Sequence, residues 1–250
     1  MRKYTSARDQ QKKGAAAIKS LEKETGNSAI FLQLDLADLP SVRAAAETFL
    51  SHESRLDILF NNGGVMMCPT DQLTAQNHDL QFGTDVIGHF FFTELLLPAL
   101  TKSYEETQVP ARVIHTSSAG HAFAPGNGID FVSLKGGPER DAWVNKKGNL
   151  MSRAALYGES KIGNIIISNY FAKTHSAVLV SCALPGTFEH SSGKHCNNAI
   201  LSRLKHPTYL ASDLCRSCDR RAPQLSIRTH PTTYQYKRSW TEIRGRTGAG

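Results

Sequence analysis

Tyr157 and Lys161 stand four residues apart at the head of an apolar-periodic run, in Tyr157-Gly158-Glu159-Ser160-Lys161. Side chains at that spacing project from one face of a helix. The arrangement sets an ammonium beside a phenol, and a nearby cation favours the phenolate of a group whose free pKa is about 10. A phenol placed this way can exchange a proton with a substrate alcohol or carbonyl at neutral pH. The same spacing is common on ordinary solvated helix faces, so the pair gains meaning only from what surrounds it.

The elements that must position the pair follow from pattern. Lys3 to Ala7 reads as a short strand. Asp9 to Thr25 reads as a helix, capped by Asp9 and stopped by Gly26-Asn27. Ala29 to Leu34 reads as a strand, Ser41 to His52 as a helix, and Leu56 to Phe60 as a strand ending in Asn61-Asn62-Gly63-Gly64. Ala75 to Lys102 is mostly helical, with a break near Gly83. Ala111 to Thr116 is a strand running into Ser117-Ser118. Residues 120–150 read as a long loop with a short helix near Gly137–Trp143. Ser152 to Thr174 is a helix, and Ala177 to Leu184 a strand ended by Pro185-Gly186. Strands alternating with helices predict a parallel sheet covered on both faces, with ligands at the carboxyl ends of the strands. Asp35, Asn61-Asn62-Gly63, Ser117-Ser118 and Pro185-Gly186 all follow strand ends, so one crevice could collect them.

Composition bounds the partners. The chain has 250 residues, 40% hydrophobic and 20% charged, as in an ordinary soluble α/β protein. Its net charge of +7 comes from residues 201–250, which hold 10 Lys and Arg against 3 acidic residues; residues 1–200 balance at 19 and 19. The basic residues of that last fifth form no periodic stripe, which speaks against a nucleic-acid partner. Met1 to Ser6 lacks an apolar signal region. The run Phe90 to Leu100 is about half a membrane span and is broken by Glu94 and Pro98. Five scattered cysteines suit reduced thiols and a cytoplasmic protein. Cys215-x-x-Cys218 has no second ligand pair, and no metal spacing joins His89, His115 and His121, so no metal site is expected.

The ordered set Leu34-Asp35-Leu36, Asn61-Asn62-Gly63-Gly64, Gly88-His89-Phe90, Ser117-Ser118, Tyr157-x-x-Ser160-Lys161 and Pro185-Gly186 resembles the short-chain dehydrogenase/reductase family, in particular its fungal, retinol-dehydrogenase-like branch. The resemblance implies a Rossmann-like, doubly wound sheet and hydride transfer between a nicotinamide and a carbonyl or secondary alcohol, a small and lipophilic molecule. It implies that Tyr157 is the proton donor and acceptor, that Lys161 lowers its pKa and bonds the nicotinamide ribose, and that Ser118 polarises the carbonyl, with Ser117 as the alternative. It places Asp35 by the adenine, Asn62 along the cofactor cleft, and Pro185 and Gly186 by the nicotinamide. Arg8, where NADP-users of the family carry a basic residue, favours NADP over NAD, with Lys12 in support. The resemblance further implies homo-oligomers packed through helices flanking the sheet and allows a role in fungal secondary metabolism.

Three departures stand out. The family opens with a strand, a TGxxxGxG turn and a helix, whereas residue 1 here already stands at its second strand, so the sheet is expected to lack its first strand and glycine-rich turn. Asp85 occupies the place of a catalytic Asn. The resemblance ends near Gly186, with Thr187 immediate and His190 where a Thr is expected; it divides the chain into an incomplete domain, 1–190, and a divergent basic segment, 191–250, that looks like a reading-frame change. Two functions follow: an NADP-dependent oxidoreductase, or an inactive fragment or pseudoenzyme that retains the motifs by descent.

Overall fold

A computed structural model describes residues 7–126 and 128–184, with side chains described from residue 12 onward. The expected strand Lys3–Ala7 lies outside the described residues except for Ala7, which opens helix α1 (Ala7–Thr25). Asp9 therefore sits inside that helix rather than capping it. Helix α2 (Leu39–His52) follows, with a proline in its first turn, where the missing N–H costs nothing. Strand β1 is Ile58–Asn61, β2 Ala111–Thr116 and β3 Val178–Ala183, in the sheet order β1-β2-β3.

β1 and β2 pair in parallel, with Ile58 opposite Arg112 and Asn61 opposite His115. Parallel strands need a crossover. Between β1 and β2 it is a short helix α3 (Leu80–Phe82), a π-turn (Gly83–Gly88) and α4 (His89–Thr107) in direct succession. Between β2 and β3 it is α5 (Pro138–Lys147) and the 26-residue α6 (Asn149–Thr174). The predicted break near Gly83 is this π-turn. The helix starts at Leu80 rather than Ala75, because the Asp79 carboxylate accepts the Phe82 N–H at 2.9 Å and fixes the first turn there. No helix among the described residues is long and apolar enough to cross a membrane.

The core lies on one face of the sheet. Val42, Ala45 and Ala46 of α2, Phe92, Leu96 and Leu100 of α4, and Phe171 of α6 pack on Leu59, Val113, Val178 and Val180 of the strands. The other face is less covered: Ile58 and Phe60 of β1 are 38% and 40% exposed. Burial along β1 and β2 alternates, where the apolar runs predicted cover on both sides.

Residues 29–34 make no strand ladder. Leu32, Leu34 and Leu36 pack on the core while Phe31, Gln33 and Asp35 between them are exposed, so residues 31–36 keep the side-chain period of a strand without pairing; Ile30, 89% exposed, falls outside it. A strand requires a neighbouring edge, and no described segment offers it one. Its far end is gripped instead: a Cβ on Gly88 would stand 2.5 Å from the Leu36 carbonyl oxygen.

That contact reverses an ordinary rule. Glycine to alanine inside a helix normally stabilises by about 1 kcal/mol. Gly88→Ala is expected to destabilise by about 1–3 kcal/mol, because the obstacle is backbone and cannot rotate away. Urea denaturation at neutral pH reads the sign.

Candidate active site

Helix α6 carries the Tyr157–Lys161 face, and its approach to the loop after β2 is set by small residues. A Cβ on Gly158 would collide with the Ala124 backbone nitrogen, so the 3-10 turn Ala119–Phe123 rests directly on the helix backbone. A Cβ on Gly120 would stand 2.5 Å from Tyr157 Cε1 and 3.5 Å from Ser118 Oγ. The phenol ring and the Ser118 hydroxyl therefore flank one point. Lys161 Nζ lies 5.3 Å from the centroid of the Tyr157 ring. Ser118 and Lys161 thus both lie beside the Tyr157 ring.

The serine pair divides by role. Ser117 is buried and donates to the Lys161 carbonyl at 2.8 Å, so its hydroxyl is spent holding α6 against β2. Ser118 is half-buried; its Oγ accepts the Gly120 N–H at 3.1 Å and keeps its own proton to donate.

Asp85 enters from the π-turn, a helical irregularity that often marks functional sites. It is fully buried, accepts the Val65 N–H at 2.8 Å, and forms an ion pair with Lys161 at 3.0 Å. Ser160 Oγ is 3.1 Å from the same carboxylate oxygen. Burial raises the Asp85 carboxyl above its usual range, opposed chiefly by the Lys161 charge.

The other predicted residues fall around this centre. Asn62 is exposed at the end of β1 and accepts the Thr116 hydroxyl at 3.0 Å. Asp35 is exposed and accepts the Ala37 N–H at 2.9 Å, which closes a local turn. Arg8 stands in the first turn of α1, and its side chain lies outside the described residues. Pro185, Gly186, Thr187, His190 and Cys215-x-x-Cys218 also lie outside them. His89 is buried on α4: its Nε2 donates to the Gly63 carbonyl at 2.6 Å, and burial lowers its pKa to about 4. His121 Nδ1 donates to the Ser118 carbonyl at 2.7 Å. Among the described residues no cluster of His, Cys, Asp or Glu could hold a metal ion.

Glu159, inside the motif itself, was not singled out by the sequence. It is fully buried and its Oε2 accepts the Ser133 hydroxyl at 2.6 Å, while Oε1 has no partner. Ser133 closes the turn Phe131–Leu134, and its carbonyl accepts from Arg140, which is paired with Asp79 at 2.9 Å. Glu159 thus fastens the loop before α5 to α6. A glutamate next to glycine and serine, on a helix that must be buried, was the available signal.

Comparison with known proteins places these features in context. Residues 2–130 match the short chain dehydrogenase family model. A short-chain dehydrogenase/reductase of Armillaria gallica is 46% identical over 194 residues, covering 77% of this chain and 59% of that protein. Mouse retinol dehydrogenase 12 is 37% identical over 216 residues, covering 86% of this chain and 58% of that protein. The chain thus spans about three fifths of the length of these relatives. The crystal structure of an uncharacterised protein from Mycobacterium paratuberculosis superposes with a TM-score of 0.51 at 28% identity, covering 76% of this chain and 59% of that one.

Burial pushes the Glu159 carboxyl up to about 7. The folded chain therefore holds this proton over a range in which the unfolded chain releases it, and stability from this group is lost as pH rises from about 4.5 to 7. His89 and His115, both kept neutral by burial, act in the opposite sense below about 6.5. A comparison with Glu159→Gln cancels them. Relative to that variant, the wild type is expected to lose up to about 3 kcal/mol between pH 4.5 and 7 and then level off, as read by urea denaturation across pH.

Proposed function

The chain belongs to the short-chain dehydrogenase/reductase family, in its retinol-dehydrogenase-like branch, and from that premise we propose that it is an NADP-dependent oxidoreductase acting on a lipophilic carbonyl or secondary alcohol. The grouping of the Ser118 hydroxyl and the Lys161 ammonium about the Tyr157 ring, beside the loop after β2, carries the reading. The donor set suits a dinucleotide. Lys161 supplies an ammonium with protons beyond the one aimed at Asp85, and Asn62 presents an exposed amide at the strand end. Lys161 would hold the ribose beside the nicotinamide, Asn62 would line the cleft, and Asp35 would meet the adenine. Arg8 on α1 favours the 2′-phosphate, hence NADP rather than NAD.

The nicotinamide, when bound, supplies or takes the hydride. The rest falls to side chains of this chain. Ser118 donates a hydrogen bond to the substrate oxygen and holds it toward Tyr157. Tyr157 gives the proton as that oxygen gains negative charge, and takes it back in the reverse direction. Lys161 lies against the tyrosine ring and stabilises the negative charge left on the phenol.

A titration of the 250-residue chain with NADPH, followed by nicotinamide fluorescence, tests the reading. Micromolar binding that is lost in Lys161→Ala supports it. Absence of binding at millimolar cofactor favours an inactive fragment. Where binding holds, Tyr157→Phe is expected to lower carbonyl reduction by about 10²–10⁴-fold with little change in cofactor affinity. Ser118→Ala is expected to lower kcat by about 10²–10³-fold, and Ser117→Ala to act on stability alone. NADPH consumption with a set of aliphatic and aromatic ketones measures these effects.

A further inference from the structure

We infer that Asp85 is a positioning residue whose negative charge fixes the Lys161 ammonium, so that Lys161 works as half of a buried ion pair. The inference rests on the preceding function only for what Lys161 is positioned to do.

The geometry supplies the argument. The carboxylate is fully buried and collects three groups from two directions: the Val65 amide at 2.8 Å, the Lys161 ammonium at 3.0 Å and the Ser160 hydroxyl at 3.1 Å. Ser160 has one proton, and the Tyr157 carbonyl competes for it at 2.9 Å. The Val65 amide and the Lys161 ammonium are then the obligatory partners. The loop after β1 is pressed onto the same carboxylate, since a Cβ on Gly64 would stand 2.8 Å from Asp85 Oδ1. The carboxylate cannot swing away, and Lys161 cannot leave without stranding a buried charge. A ligand therefore meets an ammonium already oriented, with two of its three protons left to donate.

Other titratable groups face the pair from several elements. His89 on α4 and Cys182 on β3 lie within range of the ammonium, and Cys68 within range of both Asp79 and Asp85. The histidine and both thiols are neutral at pH 7: burial lowers the first and raises the second and third. None of them can replace the carboxylate as counter-charge.

Asp85→Asn separates charge from shape. The amide keeps an oxygen for the Val65 N–H and offers its nitrogen to the Ser160 hydroxyl, so a purely structural role survives the change. Trace acetylation of the full chain with acetic anhydride, read peptide by peptide by mass spectrometry, reports how firmly the Lys161 side chain is held away from the reagent. The exposed Lys135 and Lys173 serve as internal references. Labelling of Lys161 relative to these is expected to rise by about tenfold in Asp85→Asn, where the ammonium has lost its buried counter-charge, with an unchanged cooperative thermal transition as evidence of folding. Equal labelling in the two folded proteins overturns the proposal. Should Asp85→Asn lose its fold, the double variant Asp85→Asn with Lys161→Met decides the matter. Recovery of a cooperative thermal transition supports pairing, and continued unfolding assigns Asp85 a backbone role only and overturns the proposal. Neither readout needs cofactor or turnover, so a failure to bind NADPH bears on the proposed function alone.

Discussion

A helix that carries polar side chains into the interior must find a partner for each, because a buried polar group left unpaired costs about 1–3 kcal/mol. Helix α6 is such a helix. Glu159, Ser160, Lys161, Asn164 and Ser168 are all buried along it. Three segments meet them: the turn Phe131–Leu134 meets Glu159 through Ser133, the π-turn meets Ser160 and Lys161 through Asp85, and β2 meets Asn164 through the Thr116 carbonyl and Ser168 through His115. Ser117 adds a bond to the Lys161 carbonyl. Slipping the helix by one turn, about 5.4 Å, would break every one of them. The register of Tyr157 over the loop after β2 is therefore set by bonds that, apart from the Lys161–Asp85 pair, involve none of the atoms proposed to act on substrate.

The same bonds explain why the site stands at the strand ends. Asn61 closes β1 and His115 faces it across the ladder, so both strands deliver polar side chains to one level. β2 then runs on through Thr116 to the serine pair. Glycines let the surrounding backbone come close: Gly158 admits the turn after Ser118, and Gly88 admits the Leu36 carbonyl. The apolar core beneath, from Val42 to Val180, supplies the rigidity these contacts need but does not aim them.

Most of the architecture was legible because it rests on local period. The strands Ile58–Asn61, Ala111–Thr116 and Val178–Ala183, and the helix Asn149–Thr174, lie within a few residues of where hydrophobic pattern puts them. What escaped depends on distant partners. Ala29 to Leu34 has the composition of a strand, but pairing requires an edge that no composition reveals. The start of α3 depends on which acidic side chain reaches an amide, and Asp79 does so. The serine pair could not be divided by sequence, since both follow the same strand; only the neighbouring carbonyl of Lys161 separates them. Glu159 was passed over because a charged residue on a helix ordinarily reads as solvated. Its burial follows from the packing of the turn Phe131–Leu134, some 26 residues earlier in the chain.

The electrostatics of the site follow from how its neutral groups pair. His89 is held neutral by burial and donates through Nε2 to the Gly63 carbonyl. Nδ1 lies 3.1 Å from the Asn61 side-chain oxygen, the Asn61 nitrogen donates to the Thr93 hydroxyl at 2.8 Å, and that hydroxyl donates to the His89 carbonyl at 2.8 Å. These contacts join His89, Asn61 and Thr93 without a charged side chain among them. The end of β1 is thus insulated by a closed neutral network, and among the described residues on that side the Asp85–Lys161 pair is left as the site's ionised centre. What reaches the crevice is the resultant of two opposite charges 3.0 Å apart, little weakened where burial keeps water away. The carboxylate on the π-turn therefore governs how much of the lysine's field reaches Tyr157, and the character of the site follows from the balance between those two charges.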